Sequence, residues 1–284
     1  MAGSRPKKDI PKPRQKKTSK NDQSDGDNSV GNMTKSNRKS VNERYEALEK
    51  LIFEGSSALE PVLTKALSDR SPRIRWLAAL TIGEKQFKNM LPSLLGVIDN
   101  SDSLTRFYAI EGIRKLSPKK EVALALLNCL LYKDELVRVA AAQALGELRN
   151  KNVFAELENS LSDSSPLVRA YTAEALGKIG GKKGLQILKK YVDKESEDRA
   201  RAGFYLALYS LGESVYLNRL TKLIESDDLL TRCAVANASQ SFNLGKLDRA
   251  RIISLLKKQL DKEVTVFARD CFQEALQTLK GTSK

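Results

Sequence analysis

Arginine returns in this chain at a nearly constant interval. Arg75, Arg106, Arg138, Arg169, Arg201 and Arg232 are separated by 31, 32, 31, 32 and 31 residues. A period of this length, held over five successive intervals, predicts a stacked array of small units rather than one globular core. The segments 75–83, 138–146 and 169–177 read RWLAALTIG, RVAAAQALG and RAYTAEALG. One residue before each arginine, and two, three, six and seven after it, the positions are apolar or small. They are Ile74, Leu77, Ala78, Thr81 and Ile82 in the first unit, and Val137, Ala140, Ala141, Ala144 and Leu145 in the third. That spacing puts one apolar stripe on one face of an α-helix. A second helix precedes each of these, as in 58–67 followed by the turn 68–72, and 157–161 followed by 162–166. Asp69 and Asp163 suit the turn, Pro72 and Pro166 suit a first helical turn, and Gly146 and Gly177 are expected to close their helices. Such a hairpin cannot bury its stripe alone, so neighbours must stack.

Composition narrows the chemistry. The chain contains no histidine, which excludes Ser-His-Asp and Cys-His catalysis and every metal site built on imidazole. Cys129, Cys233 and Cys271 lie far apart without CxxC spacing, so they are expected as small buried residues in a reducing compartment. No apolar run is long enough to span a membrane, and no leader-like stretch precedes residue 41. The expectation is a soluble, cytoplasmic protein without cofactor, metal or catalytic residues.

The pattern D-x-x-P-x-V-R ending in A-L-G, seen at residues 163–177, resembles the short HEAT repeat typified by phycobilisome lyase subunits. The likeness covers roughly residues 57–280. It implies an all-α fold, a right-handed α-solenoid of helical hairpins whose second helices line the concave face. It also implies that the Asp six residues before an Arg pairs with it, as Asp69–Arg75 and Asp163–Arg169. Residues 42–54 are expected as an N-terminal cap helix, 57–246 as six repeats, and 247–280 as a capping pair with no arginine in register. Gly212 after Tyr209 suggests that the fifth second helix runs one turn longer.

The net charge of +14 is uneven. Residues 1–20 hold six lysines and two arginines against one aspartate. Residues 1–40 are too polar to offset their ordering entropy and are expected to be disordered. Within them Lys12, Arg14, Lys16 and Lys17 either grip nucleic-acid phosphates or another polyanion, serve as a localisation signal, or form a solvated tail. The arginine row admits a phosphate track, but planar guanidinium suits fixed, partly buried pairs better, which favours a structural ladder. Basic pairs such as Lys182-Lys183, Lys189-Lys190 and Lys257-Lys258 mark a solvated outer face or an acidic-partner patch.

Function is expected on the inner strip, one, five and nine residues after each arginine. It contains Trp76, Leu80, Phe107, Glu111, Gln143 and Glu174, with Tyr205 and Tyr209 nearby. Aromatic groups beside charge make interface hot spots. Trp76 and Phe107 alternatively pack beneath the cap helix. The reading is a non-enzymatic adaptor that holds another protein or peptide in its groove. A bilin lyase or isomerase subunit, or another phycobilisome factor, follows only from the resemblance, and a nucleic-acid-associated protein only from the tail.

Overall fold

The computed structural model describes residues 40–55, 59–116, 122–241 and 244–281, which form fifteen α-helices and no strand. Helix α1 (Val41–Glu54) is followed by seven hairpins. These are α2 (Leu59–Ala66) with α3 (Pro72–Glu84), α4 (Leu91–Asn100) with α5 (Ser103–Lys115), and α6 (Ala123–Cys129) with α7 (Glu135–Leu148). Next come α8 (Phe154–Ser160) with α9 (Pro166–Ile179), and α10 (Gly181–Val192) with α11 (Asp198–Ser210). The last are α12 (Val215–Leu223) with α13 (Leu229–Ser239), and α14 (Lys246–Leu260) with α15 (Val266–Gly281). The first residues of α1 carry a full capping box, Ser40 with Glu43, so the helix begins at the edge of the segment expected as tail.

Each second helix packs along the second helix of the next hairpin, whereas first helices rest on their own partner and scarcely meet one another. Small residues make this possible. A Cβ on Gly83 would lie 2.6 Å from Gly112 Cα, and one on Gly203 would lie 2.4 Å from the Ala170 carbonyl. The backbones of the second helices therefore touch, which no larger side chain would permit. A row spaced this tightly traces the shorter, inner arc, and the first helices trace the outer one.

The glycines expected to end helices do something else. Gly146 and Gly177 are buried inside α7 and α9, and the actual C-caps are Arg149 and Gly180. A Cβ on Gly146 would meet Ala175 Cα at 2.7 Å, so close helix approach explains this glycine. Helix α11 ends at Ser210, no longer than α9, because the Gly212 turn stops it where its neighbours stop.

Arginine is the fourth residue of every second helix, and the column is longer than six. Arg44 in α1 and Arg269 in α15 occupy the same place. The C-terminal pair thus does keep an arginine in register. Helix α14 has 15 residues where α12 has 9, so the interval stretches to 37 residues after Arg232 and hides the match. Apolar side chains fill the space between rows, and α11 buries two faces. Phe204, Ala207 and Leu208 join the core that runs back to α1, while Ala202 and Leu206 join the core that runs on to α15. The three cysteines are buried and form no disulfide. Among the described residues no helix is long and apolar enough to cross a membrane.

Candidate functional site

The start of each second helix holds its arginine between two backbone layers. Arg75 donates to the carbonyl of Asp69 at 2.7 Å, Arg138 to Tyr132 at 2.9 Å and Arg169 to Asp163 at 2.8 Å. Arg232 donates to Ser226 at 2.7 Å and Arg269 to Glu263 at 3.0 Å. In every case the acceptor lies six residues earlier. The side chain at that acceptor position turns the other way, toward the arginine of the preceding repeat. Arg44 forks onto Asp69 at 2.9 and 3.0 Å, Arg138 onto Asp163 at 2.8 and 2.9 Å, and Arg169 onto Glu195 at 2.7 and 2.8 Å. Arg232 reaches Glu263 at 2.5 Å. One residue therefore ties two rungs, by its carbonyl to its own arginine and by its carboxylate to the previous one.

This corrects the expected pairing of Asp69 with Arg75 and Asp163 with Arg169. The carboxylates are displaced by one repeat, because an acid in the turn faces the neighbouring hairpin while only its carbonyl faces its own helix. Arg75 uses Asp102 instead, at 2.5 Å. Arg106 finds Tyr132 at the acid position of the next repeat and lies 4.3 Å over its ring, a cation–π contact in place of an ion pair. Arg201 meets Ser226 there and pairs with its own Asp198 at 2.6 Å.

The row is electrically settled. Burial pushes the Glu195 carboxyl up, but hydrogen bonds from Arg169 and the Glu197 amide hold it below the ordinary value. For Asp102 burial is likewise outweighed, by Thr105 and Arg75, and its pKa falls to about 2. Around Glu263 the hydrogen bond from Arg232 is the largest influence and also lowers the pKa. Arg75, Arg138, Arg169 and Arg232, each paired with a carboxylate, therefore make no phosphate track.

The inner strip divides into two parts. Trp76, Leu80, Phe107, Glu111 and Gln143 are half-buried on α3, α5 and α7. Most equivalent places further along are closed, beginning with Val139 on α7, while Asn237 on α13 stays half-buried. Ala170, Glu174, Ala202, Leu206 and Cys233 are all buried. Glu174 was expected on an open groove face. Small residues one place after the arginine let α9, α11 and α13 close over those positions. At the other end the same place is held by the bulkier Trp76 and Phe107, which stay half-buried. Trp76 stacks on Tyr108 of α5, centroids 5.0 Å apart, and Phe107 meets the same ring edge-on at 5.2 Å. The cap helix contributes Tyr45, which takes the guanidinium of Arg73 at 3.8 Å. Tyr205 leans on Tyr216 at 5.6 Å, and the Tyr209 hydroxyl donates to Asp248, which with burial raises its pKa to about 12.

Nine residues after the arginines a second ladder closes the rim. Glu84 pairs with Lys115, while Glu147 takes both Arg114 at 3.1 Å and Lys178 at 3.7 Å. Glu111 binds Arg114 at 2.8 Å. The mixed charge of the strip is thus spent between neighbouring helices. Sequence reading missed Arg44, Glu195, Glu263 and this alternation. The signal was present as an acid 25, 26 or 31 residues after an arginine, one repeat further than the search looked. Lys12, Arg14, Lys16 and Lys17 lie outside the described residues. Among the described residues no acid and cysteine cluster is placed to hold a metal.

A family model described as HEAT repeats matches residues 59–135 and 123–209, together just over half of the chain. No curated protein matches in sequence. A chain from the complex of CpcE and CpcF of phycocyanin lyase, from a Nostoc species, is similar in structure with a TM-score of 0.54. It is 20% identical, with 89% of this chain and 100% of that chain covered. A chain of the AP-3 complex gives 0.50 at 14% identity, covering 84% of this chain and 55% of that one.

Proposed function

This chain belongs to the HEAT-repeat family, and from that premise we propose that it is an interaction scaffold holding a partner protein against the inner face of α3, α5 and α7. The observation that carries this reading is the contrast along the strip. Trp76, Leu80, Phe107 and Gln143 keep part of their surface in water, whereas Ala170, Glu174, Ala202, Leu206 and Cys233 at the same positions of later repeats are shut. A half-open aromatic cluster beside Glu111 offers the large, rigid contact area on which interface energy concentrates. The arginine row behind it supplies rigidity, so the aromatic positions are set before a partner arrives, which lowers the ordering cost of binding. The likeness to phycocyanin lyase speaks for the fold and adds no residue to this surface.

Photocrosslinking tests the reading. A photoreactive phenylalanine at position 80 or 143 is expected to trap one protein species in cells, and Phe107→Ala is expected to weaken that trapping. The same group at the exposed outer position 124 serves as the control. Equal trapping from 124, or trapping at 80 that survives Phe107→Ala and Trp76→Ala in a folded chain, would remove the groove assignment.

A further inference from the structure

The outer row changes character along its length. Helices α2, α4, α6 and α8 together hold one basic residue, Lys65, against Glu60, Asp99, Glu156 and Glu158. Helices α10, α12 and α14 together hold eleven lysines and arginines against Asp248 alone, and Asp248 is engaged by the Tyr209 hydroxyl. The inner row shows no such divide. A charge step of this size, confined to one face and one end of a stack, is not needed to cover the core. Ile187, Leu188, Leu220, Ile252 and Leu256 do that from the opposite sides of the same helices.

Some of the cations stitch the outer helices together. Lys189 pairs with Glu213, Lys190 with Glu158 and Lys258 with Glu225. Arg219 pairs with Asp193 and Arg251 donates to Asn218. Lys182, Lys183, Lys222, Lys246 and Lys257, with Lys262 just after α14, are exposed and have no carboxylate within ion-pair distance among the described residues. The aromatic rings in reach are already covered by cations, Phe154 by Lys183, Tyr191 by Lys190 and Lys194, and Tyr216 by Arg219. Bases therefore find no uncovered ring among these to stack on. Eight of the eleven cations on this outer ridge are lysines, compact charges that suit phosphate as point contacts.

We propose that the outer face of α10, α12 and α14 binds the phosphate backbone of a nucleic-acid duplex without reading its sequence. Three such helices side by side offer cations to several phosphates of a duplex that carries one charge per ~1.7 Å. The surface lies on the opposite side of the solenoid from the aromatic cluster, so both can be occupied together. The basic run Lys12–Lys17 has the same sign as the ridge and cannot neutralise it.

The experiment uses the full chain and a fluorescently labelled random duplex, read by anisotropy between about 50 and 200 mM salt. The ridge variant is Lys182→Gln, Lys183→Gln, Lys257→Gln and Lys262→Gln together. A tail variant replaces Lys12, Arg14, Lys16 and Lys17 by Gln, and an outer control replaces Lys65, Lys85, Lys88 and Lys133. All remove four charges, and circular dichroism confirms that each is folded. The ridge variant is expected to bind at least tenfold more weakly, with the log–log salt slope shallower by about 3. The outer control is expected to change less than threefold. Unchanged affinity of the ridge variant overturns the proposal. So does loss of all duplex binding in the tail variant alone, or ridge-dependent binding of polyglutamate with none of duplex.

Discussion

Arg169 on α9 and Lys182 on α10 stand thirteen residues apart, and their charges meet different fates. Arg169 faces the next repeat, where it is gripped by a buried carboxylate and two backbone carbonyls. Lys182 faces outward with no acid near it. The same division holds for backbone space. Second helices touch through Gly203 and Ala170, while Gly96 on the outer helix α4 has nothing within 4 Å of where a Cβ would stand. The comparison teaches that one hairpin carries two kinds of surface. The inner row is closed, paired and intolerant of change. The outer row is spaced, largely free of such demands, and open to carry charge for another purpose.

The largest expected effect comes from breaking an inner rung. Arg169→Met leaves Glu195, 7% exposed, without its partner, and removing one member of a buried pair costs about 4 kcal/mol. Arg201→Met removes a more exposed pair with Asp198 and should cost about 1 kcal/mol or less. Urea unfolding measures both, and equal losses would show that carboxylate burial is not what distinguishes the rungs. Next in size is the packing contrast. Gly203→Ala forces a methyl onto the Ala170 carbonyl at 2.4 Å and should destabilise by about 2 kcal/mol. Gly96→Ala, on the open outer helix, should stabilise by roughly 0.5–1 kcal/mol. Opposite signs in the two melting temperatures would sharpen the division between rows, and the same sign would blur it.

Acid is the gentlest perturbation at each step. Asp69, Asp102, Glu195 and Glu263 all have folded pKa values below the ordinary carboxylate range. Groups depressed in this way contribute stability that is fully present above their unfolded values, near pH 4, and is lost as the pH falls through the folded ones. Helical signal followed by circular dichroism should therefore hold from neutral pH to about 4 and decline toward pH 2, the pKa of Asp102. The outer lysines do not titrate there, so the ridge variant should trace the same curve. A curve displaced by the lysine changes would mean that the outer charges also support the fold.

The period of 31 to 32 residues, the apolar stripe and the small residues within it were sufficient to determine a stacked all-α array, because helical registry depends only on spacing along one chain. The arginine column was legible for the same reason over its regular stretch, which the same 31-residue spacing extends back from Arg75 to Arg44, and it vanished at Arg269, where the longer α14 broke the interval. What each arginine binds was decided by the tertiary structure. A turn carboxylate sits within hydrogen-bonding reach of two arginines in sequence terms, and only the packing of one hairpin on the next selects the farther one. The inner strip was similarly half legible. Its positions follow from periodicity, but whether a position is open or shut depends on how closely two helices approach. That distance is set by pairs such as Ala170 with Gly203 and Trp76 with Tyr108, residues that meet only when the repeats are stacked.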